Sequence, residues 1–142
     1  MKKIKILIVE DDKRILDIYD KFMSDEIFEK ELVSDGKTAV NKYKEFMPEI
    51  IILDIMLPAI SGYVILKEIR TALNDKKTCI IMATSISKQD DVLSCVKLGI
   101  SGYMVKPFNH RDLNDTIMTC FEKDNQQKAL QSKELLSANQ AS

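Results

Sequence analysis

The chain has 142 residues, and its 45% hydrophobic content suits one domain that buries a full core. Its 21 basic and 22 acidic residues give a formal net charge of -1, which excludes an overall field that attracts nucleic acid or an anionic membrane. No run reaches the ~18 apolar residues of a membrane span, and the apolar segment 4–9 is too short for a signal-peptide core. We therefore expect a cytoplasmic protein with no membrane partner and no direct contact with nucleic acid.

Cysteine and histidine offer little chemistry in this chain. Cys79, Cys95 and Cys120 are odd in number, widely spaced and embedded in apolar patterns, which predicts reduced core thiols and not a disulfide framework. His110 is the only histidine, so a zinc cluster or a histidine-based catalytic triad has almost nothing to be built from. Any chemistry therefore falls to the acidic residues.

Short apolar runs alternate strictly with longer segments of helical period. In chain order the predicted elements are strand 4–9, helix 13–25, strand 28–34, a helix between Gly36 and Pro48, strand 50–54, helix 63–73, strand 79–83, helix 88–98, strand 101–105 and a last helix from about 109. This alternation predicts an α/β fold with a doubly wound, five-stranded parallel sheet covered by helices on both faces. Such a sheet carries its chemistry at the carboxyl ends of its strands. The strand at 28–34 is the most polar and suits an edge.

Asp54 is a lone carboxylate that closes the apolar run 50–53. Four β-branched or leucine residues in a row predict a strand buried on both faces, and Pro58 indicates that the strand has ended. An ionised aspartate at that end lies where a parallel sheet has its site. The alternative is that Asp54 only enters a loop or caps a helix, so the other strand ends have to decide between the two.

Polar side chains follow four of the predicted strands. They are Glu10-Asp11-Asp12 after the first strand, Asp54 after the third, Thr84-Ser85 after the fourth and Lys106 after the fifth. If strands one, three, four and five are neighbours, with strand two outside strand one, these groups converge on one cleft. Crowded carboxylates repel one another, so the cluster needs a shared proton or a cation, and its oxygen ligands favour Mg²⁺. The alternative for the acidic triplet is N-capping of the first helix, a role that suits Asp12.

A metal ion, a carboxylate, a hydroxyl and a lysine together suit a phosphoryl group. Phosphoryl transfer needs positioning and neutralisation of the charge on three equatorial oxygens more than it needs acid–base chemistry. Asp54 would attack in line, the metal and Lys106 would neutralise separate oxygens, and Thr84 would donate a hydrogen bond to one of them. Taken alone, Lys106 is interpreted as a solvated surface lysine, but its place between an apolar strand and Pro107 favours the site.

Four motifs stand at the strand ends in a set order. They are ILIVEDD at 6–12, PEIIILDIMLP at 48–58 followed by Gly62, MATS at 82–85 and GYMVKPF at 102–108. In these motifs, and over residues 3–122, the chain resembles the receiver domain of two-component response regulators, including the chemotaxis regulators. The resemblance implies a flavodoxin-like (βα)5 fold with strand order 2-1-3-4-5. It also implies a phosphoacceptor signalling domain, not a turnover enzyme, that assists its own phosphorylation and dephosphorylation.

The resemblance implies the acidic residues' roles. Asp54 is similar to the family's phosphoacceptor, which takes its phosphoryl group from a histidine kinase or a histidine phosphotransfer protein. Glu10 and Asp11 resemble the acidic pair that binds Mg²⁺ or Mn²⁺, with the Asp54 carboxylate and the Met56 backbone carbonyl completing the protein ligands. Met56 would contribute only its main chain.

The resemblance also implies how a phosphate is sensed. Thr84 and Lys106 are similar to the ligands of the phosphate oxygens, Ser85 to the small residue whose backbone amide faces the phosphoryl group, and Tyr103 to the switch aromatic. The phosphate would draw Thr84 towards it and leave space that Tyr103 occupies, which remodels the face formed by helix 4, strand 5 and helix 5. The bond before Pro107 resembles the family's cis-proline junction.

Partners follow from the same resemblance. We expect the remodelled face to regulate a downstream protein target or an output domain. The alternative is a pseudo-receiver that binds proteins without phosphorylation, although the complete acidic, threonine and lysine set argues against it. Helix 5 has Arg111 at its start but no later arginine, and Gly102 precedes Tyr103; both features depart from the charged pattern of regulators that dimerise through this face. We therefore expect a monomer or a weak, phosphorylation-dependent dimer.

The lifetime of the phosphoryl group depends on the residues around the attacking water. Met56 and Ile86, two positions beyond Asp54 and Thr84, are both apolar and offer no polar group to orient that water. We therefore predict slow loss of the phosphoryl group.

Two other classes fit the sequence less well. A haloacid-dehalogenase-type phosphatase needs a second acidic residue where Met56 stands. A flavin- or nucleotide-binding module needs a glycine-rich loop after the first strand, where Glu10-Asp11-Asp12 puts negative charge.

The C-terminal segment differs from the rest of the chain. We place the receiver domain at 1–123, because residues 124–142 contain no aromatic residue, glycine or proline and few apolar side chains. The segment is interpreted as a helical extension, a linker or a disordered tail. It is too short for a DNA-binding domain, so a transcriptional role would need further residues.

Overall fold

Five parallel strands form one sheet in the order β2-β1-β3-β4-β5, in a computed structural model that describes residues 2–85 and 89–141. The elements are β1 (Ile4–Val9), α1 (Lys13–Phe22), β2 (Phe28–Val33), α2 (Gly36–Phe46), β3 (Ile50–Asp54), α3 (Gly62–Lys67) with a π-helical continuation (Glu68–Ala72), β4 (Cys79–Ser85), α4 (Gln89–Leu98), β5 (Gly102–Lys106), a 3₁₀ helix (His110–Asp112) and α5 (Leu113–Ala141). The predicted fold class and strand order are confirmed, with polar β2 at one edge of the sheet.

Two hydrophobic layers pack on opposite faces of this sheet. Alternate residues of β3 divide between them: Ile50 and Ile52 lie in the layer with α1 and α5, and Ile51 and Leu53 in the layer with α2, α3 and α4. Every residue of β3 is buried, as the apolar run predicted. The sheet is therefore doubly wound, and only the ends of its central strands reach the surface.

The strands that carry the site are longer or later than predicted. β4 runs to Ser85, and β5 covers Gly102–Lys106, because Thr84 pairs with Val105 and Ser85 with Lys106. The apolar run alone ended the prediction at residue 83. The hydroxyl residues and the lysine are thus held in the ladder itself and not in flexible loops.

The helix ends also differ in detail. α1 ends at Phe22, before the predicted residue 25, and the last helix is preceded by a 3₁₀ turn that Asn109 caps. Residues 86–88, which include Ile86 and the predicted start of helix 88–98, lie outside the described residues. α5 continues to Ala141, so the described part of segment 124–142 is helical.

Two further predictions can be compared with the fold. Among the described residues, Cys79, Cys95 and Cys120 form no disulfide, and the first two are buried, in agreement with the predicted core thiols. The Lys106–Pro107 bond is cis, as the resemblance implied. Within the described residues, no helix is long and apolar enough to cross a membrane.

Candidate functional site

Glu10, Asp11 and Asp54 form an acidic pocket at the carboxyl ends of β1 and β3. Each offers a carboxylate oxygen, and these oxygens lie within 4.8 Å of one another. The pocket forms because β1 and β3 are neighbours with Val9 paired to Leu53, so the next residues of both strands emerge side by side. Glu10 is 1% exposed and Asp54 4% exposed, whereas Asp11 lies at the surface.

Lys106 brings a cation to this pocket from β5. Its Nζ donates to Glu10 Oε1 at 2.8 Å and to Asp54 Oδ2 at 3.0 Å. The ammonium thus bridges two carboxylates that would otherwise repel each other. Burial acts to lower the pKa of Lys106, but hydrogen bonds and charge attraction from both carboxylates outweigh it and raise the pKa. Lys106 is therefore part of the site and not a solvated surface lysine.

The environment of Glu10 favours the protonated form of its carboxyl up to near-neutral pH. Burial, and then a hydrogen bond with the Asp54 carboxyl, raise the pKa of Glu10 from 4.5 to about 7, against the lowering effect of Lys106. The sequence predicted that the cluster needs a shared proton or a cation; Lys106 provides a cation, and the raised pKa of Glu10 favours a proton on that carboxyl. One ammonium and one proton still leave the three carboxylates with a net negative charge, so the pocket favours an added cation.

The pocket's donor set fits a hard divalent cation. Three carboxylates that converge within 4.8 Å provide the oxygen ligands that Mg²⁺ prefers, and Asp11, at the surface, leaves room for coordinated water. The Met56 carbonyl as a further ligand stays a prediction. The Met56 backbone N–H donates to Asp54 Oδ1 at 3.0 Å, which fixes the carboxylate from the loop side.

Asp12 has the capping role that the sequence left open. Its side chain accepts from Arg14 N at 2.9 Å and so caps the N-terminus of α1. Its own backbone N–H donates to Glu10 Oε2 at 3.3 Å, which orients that carboxylate. The acidic triplet therefore divides: two residues belong to the pocket and the third begins the helix.

Thr84 and Ser85 end β4, and Tyr103 lies on the neighbouring strand β5. Thr84 is buried, and its hydroxyl donates to the Ser85 carbonyl at 3.1 Å. Tyr103 is 53% exposed and lies outward. Thr84, Ser85 and Tyr103 line one open groove of about 400 Å³ together with α4 residues. The role of Tyr103 as the switch aromatic stays a prediction.

Gly62 is needed for the loop after Asp54 to close against the strand. A Cβ at this position would lie 2.1 Å from the Asp54 backbone oxygen, a distance that no side chain tolerates. The Gly62 N–H donates to the Ile55 carbonyl at 3.0 Å. The sequence identified Gly62 only as part of a motif, and the reason for it is this close approach.

Sequence reasoning missed one polar group near the pocket. Tyr19 lies in the predicted helix 13–25 and is 1% exposed. Its hydroxyl, however, is buried with no hydrogen-bond partner among the described residues. The available signal was a tyrosine, with its polar end, on a core-facing helix that begins beside the acidic triplet.

Comparison with known proteins identifies relatives of this chain. A family model described as "Response regulator receiver domain" matches residues 6–118. The Guillardia theta protein named "Probable transcriptional regulator ycf27" is 35% identical over 123 residues, which are 87% of this chain and 47% of that protein. "Regulatory protein VanRB" of Enterococcus faecalis is 36% identical over 110 residues, 78% of this chain and 49% of that protein. The chain spans about half the length of the curated relatives it matches.

A solved structure agrees in fold and in sequence. The chemotaxis protein CheY4 of Vibrio cholerae superposes with a TM-score of 0.76 at 28% identity, over 84% of this chain and 99% of that one. Together with the family match and the acidic pocket at the ends of β1 and β3, this likeness shows that the chain belongs to the response regulator receiver domains, the signalling domains of two-component systems.

Proposed function

We propose that Asp54 accepts a phosphoryl group from the phosphohistidine of a histidine kinase or histidine phosphotransfer protein. One observation carries the proposal: Asp54 is buried at a strand end within 4.8 Å of two further carboxylates and bonded to Lys106. A pocket that concentrates negative charge accepts an incoming dianion only if cations neutralise the combined charge. Lys106 provides one such cation next to Asp54.

The transfer is an in-line displacement at phosphorus. A bond forms between an Asp54 carboxylate oxygen and phosphorus while the P–N bond of the donor breaks, and the leaving imidazole keeps the electron pair. Lys106 would exchange its carboxylate partners for a phosphoryl oxygen, and the Thr84 hydroxyl and Ser85 amide would bind the others. Mg²⁺ or Mn²⁺, held by Glu10, Asp11, Asp54 and the Met56 carbonyl, would supply the remaining charge neutralisation.

The new charge then acts as a switch. A phosphoryl group adds about -1.5 to -2 charges and three acceptor oxygens, which draw the Thr84 hydroxyl away from the Ser85 carbonyl. Tyr103 would turn into the groove that this movement opens and change the surface formed by α4, β5 and α5. A shift from about 1:99 to 99:1 needs about 5.5 kcal/mol of preference for the active arrangement.

The surface so changed would regulate a partner protein or an output domain in the cytoplasm. The named relatives are about twice as long as this chain, and their names describe regulators. An output domain that binds nucleic acid would therefore lie outside the receiver domain at 1–123, with residues 124–142 as the connecting helix. We expect a monomer or a weak, phosphorylation-dependent dimer.

Incubation with Mg²⁺ and phosphoramidate, followed by intact mass spectrometry, tests the proposal. The wild type should gain one phosphoryl group and Asp54→Ala none. Two neighbouring acids give a matched pair of variants: Asp11→Asn should lose phosphorylation, whereas Asp12→Asn should keep it, since asparagine also caps helices well. A wild type that stays unmodified, yet still binds a partner, would instead favour the pseudo-receiver.

A further inference from the structure

The Tyr19 hydroxyl is a buried donor that has no acceptor in the part of the chain that the structure describes. The residue is 1% exposed, and its hydroxyl has no hydrogen-bond partner within residues 2–85 and 89–141. Such a hydroxyl loses its hydrogen bonds to water and gains none in return, which destabilises the fold. A buried polar group that stays unsatisfied in one state of a protein is explained if another state provides its partner.

The surroundings of this hydroxyl point to the acidic pocket. The Tyr19 ring packs against Phe108, with ring centroids 5.4 Å apart, and Phe108 follows Lys106 by two residues. Burial, and then the charges of Glu10 and Asp54, raise the pKa of Tyr19, so both carboxylates act on this hydroxyl. Tyr19 thus lies on α1 against Phe108, close enough to the pocket for the charges of both carboxylates to act on its hydroxyl.

In the pocket, Glu10 Oε1 is a buried acceptor that depends on Lys106 for its donor. Glu10 Oε1 accepts its hydrogen bond from Lys106 at 2.8 Å, in a position that is 1% exposed. When Lys106 moves to a phosphoryl oxygen, this buried oxygen loses its donor. Water has little access there, so the replacement has to come from the protein or from a metal ion.

We propose that Tyr19 is a positioning residue of the phosphorylated site, whose hydroxyl donates to the Glu10 carboxylate once Lys106 has moved to the phosphoryl group. The inference rests on the proposed function. The Tyr19 hydroxyl, which lacks an acceptor, and the Glu10 oxygen, which loses its donor, would then satisfy each other. This pairing also explains why the metal-free protein tolerates an unsatisfied hydroxyl in its core.

Tyr19→Phe tests the inference because it removes only the hydroxyl. The probe is Mg²⁺ with beryllofluoride, a stable mimic of the phosphoryl group, titrated by calorimetry. We expect binding to weaken about tenfold, which corresponds to about 1.4 kcal/mol. The urea midpoint of the metal-free protein should stay unchanged or rise, because the variant removes an unpaired buried group.

Tyr43→Phe is the matched control. The Tyr43 hydroxyl donates to Asp75, near the amino end of β4 and away from the pocket. Loss of that bond should lower the urea midpoint and leave beryllofluoride binding unchanged. The two variants should therefore have opposite profiles, which a merely structural role for Tyr19 does not produce.

Tyrosine labelled with ¹³C at Cζ gives a direct readout. The Tyr19 resonance, assigned by its loss in Tyr19→Phe, should shift when Mg²⁺ and beryllofluoride bind, while the Tyr43 resonance stays in place. Equal affinities of the wild type and Tyr19→Phe, or an unmoved Tyr19 resonance on a saturated wild type, overturn the inference. A wild type that binds no beryllofluoride overturns the proposed function itself, so the two failures are distinct.

Discussion

Raising the pH of the metal-free protein should lower its free energy of unfolding, and Glu10 is the reason. Burial and the Asp54 carboxyl raise the pKa of Glu10 in the folded state from 4.5 to about 7. Below pH 4.5 the Glu10 carboxyl is protonated in the folded and in the unfolded chain. Between pH 4.5 and about pH 7 the unfolded chain releases this proton while the folded chain keeps it, so the free energy of unfolding falls as the pH rises.

The size of the effect follows from the two pKa values. The difference between 4.5 and about 7 corresponds to roughly 3 kcal/mol, at about 1.4 kcal/mol for each pH unit. Because Glu10 is 1% exposed, solvent does little to screen the effect. It is a large part of the ~5–15 kcal/mol that stabilises a typical domain.

Urea unfolding in the presence of a chelator, at about pH 5 and about pH 7.5, measures this loss. Glu10→Gln, which carries the neutral form at every pH, should show a nearly flat profile over the same window. Mg²⁺ should restore much of the stability of the wild type at the higher pH and do far less for the variant, because it binds the ionised carboxylates. A wild type as flat as Glu10→Gln, or one that gains stability with pH relative to it, refutes the reasoning.

Asp75 does not confuse this measurement. Burial acts to raise the pKa of Asp75, but hydrogen bonds from Thr78 and Tyr43 outweigh it and lower the pKa to about 2. Its contribution to stability is present above the unfolded value of 3.8 and is lost only as the pH falls towards 2. Between pH 5 and 7.5 that contribution is therefore constant.

Three other changes test separate parts of the structure. Gly62→Ala should destabilise the protein by about 2 kcal/mol or more and slow phosphorylation, because the added Cβ would push the Asp54 backbone away. If the variant and the wild type have equal urea midpoints and equal phosphorylation rates, the close approach is contradicted. Arg70→Met should lower the free energy of unfolding by about 3 kcal/mol, because the buried guanidinium donates to three backbone carbonyls, and a loss below about 1 kcal/mol would show that those bonds matter little. The double variant Met56→Asn and Ile86→Glu should lose the phosphoryl group faster, as measured by intact mass over time. An unchanged rate argues against the missing polar group as the cause of a long lifetime.

The kinds of element were predictable because they depend on local pattern. The run 50–53 is apolar at every position, and together with Asp54 it forms a strand buried on both faces, as expected. The order of the strands was not predictable from pattern alone, because a crossover helix leaves open which neighbour its strand pairs with. It came only from the resemblance. The extension of β4 to Ser85 was missed because Thr84 and Ser85 are polar, and their pairing with β5 holds them in the ladder.

Arg70 marks the limit of sequence reasoning outside the site. It stands in a segment predicted as ordinary helix, yet it lies in the π-helical continuation of α3 and is 7% exposed. Its Nε donates to the carbonyl of Gly99, a residue far along the chain, at 2.8 Å. The periodicity of the sequence carries no information about such a partner, because the contact depends on how the end of α4 packs against α3.

At the site itself, the sequence determined which residues are present and which edge of the sheet carries them. The carboxylates, the threonine and the lysine follow apolar strands, and parallel strands present their carboxyl ends together. Tertiary structure alone decided that Lys106 bridges Glu10 and Asp54, that the pKa of Glu10 is raised towards 7, and that the buried Tyr19 hydroxyl has no hydrogen-bond partner among the described residues. The physical reason is that hydrogen bonds between strands and the loss of hydration depend on distances of a few ångströms between residues that the sequence places far apart.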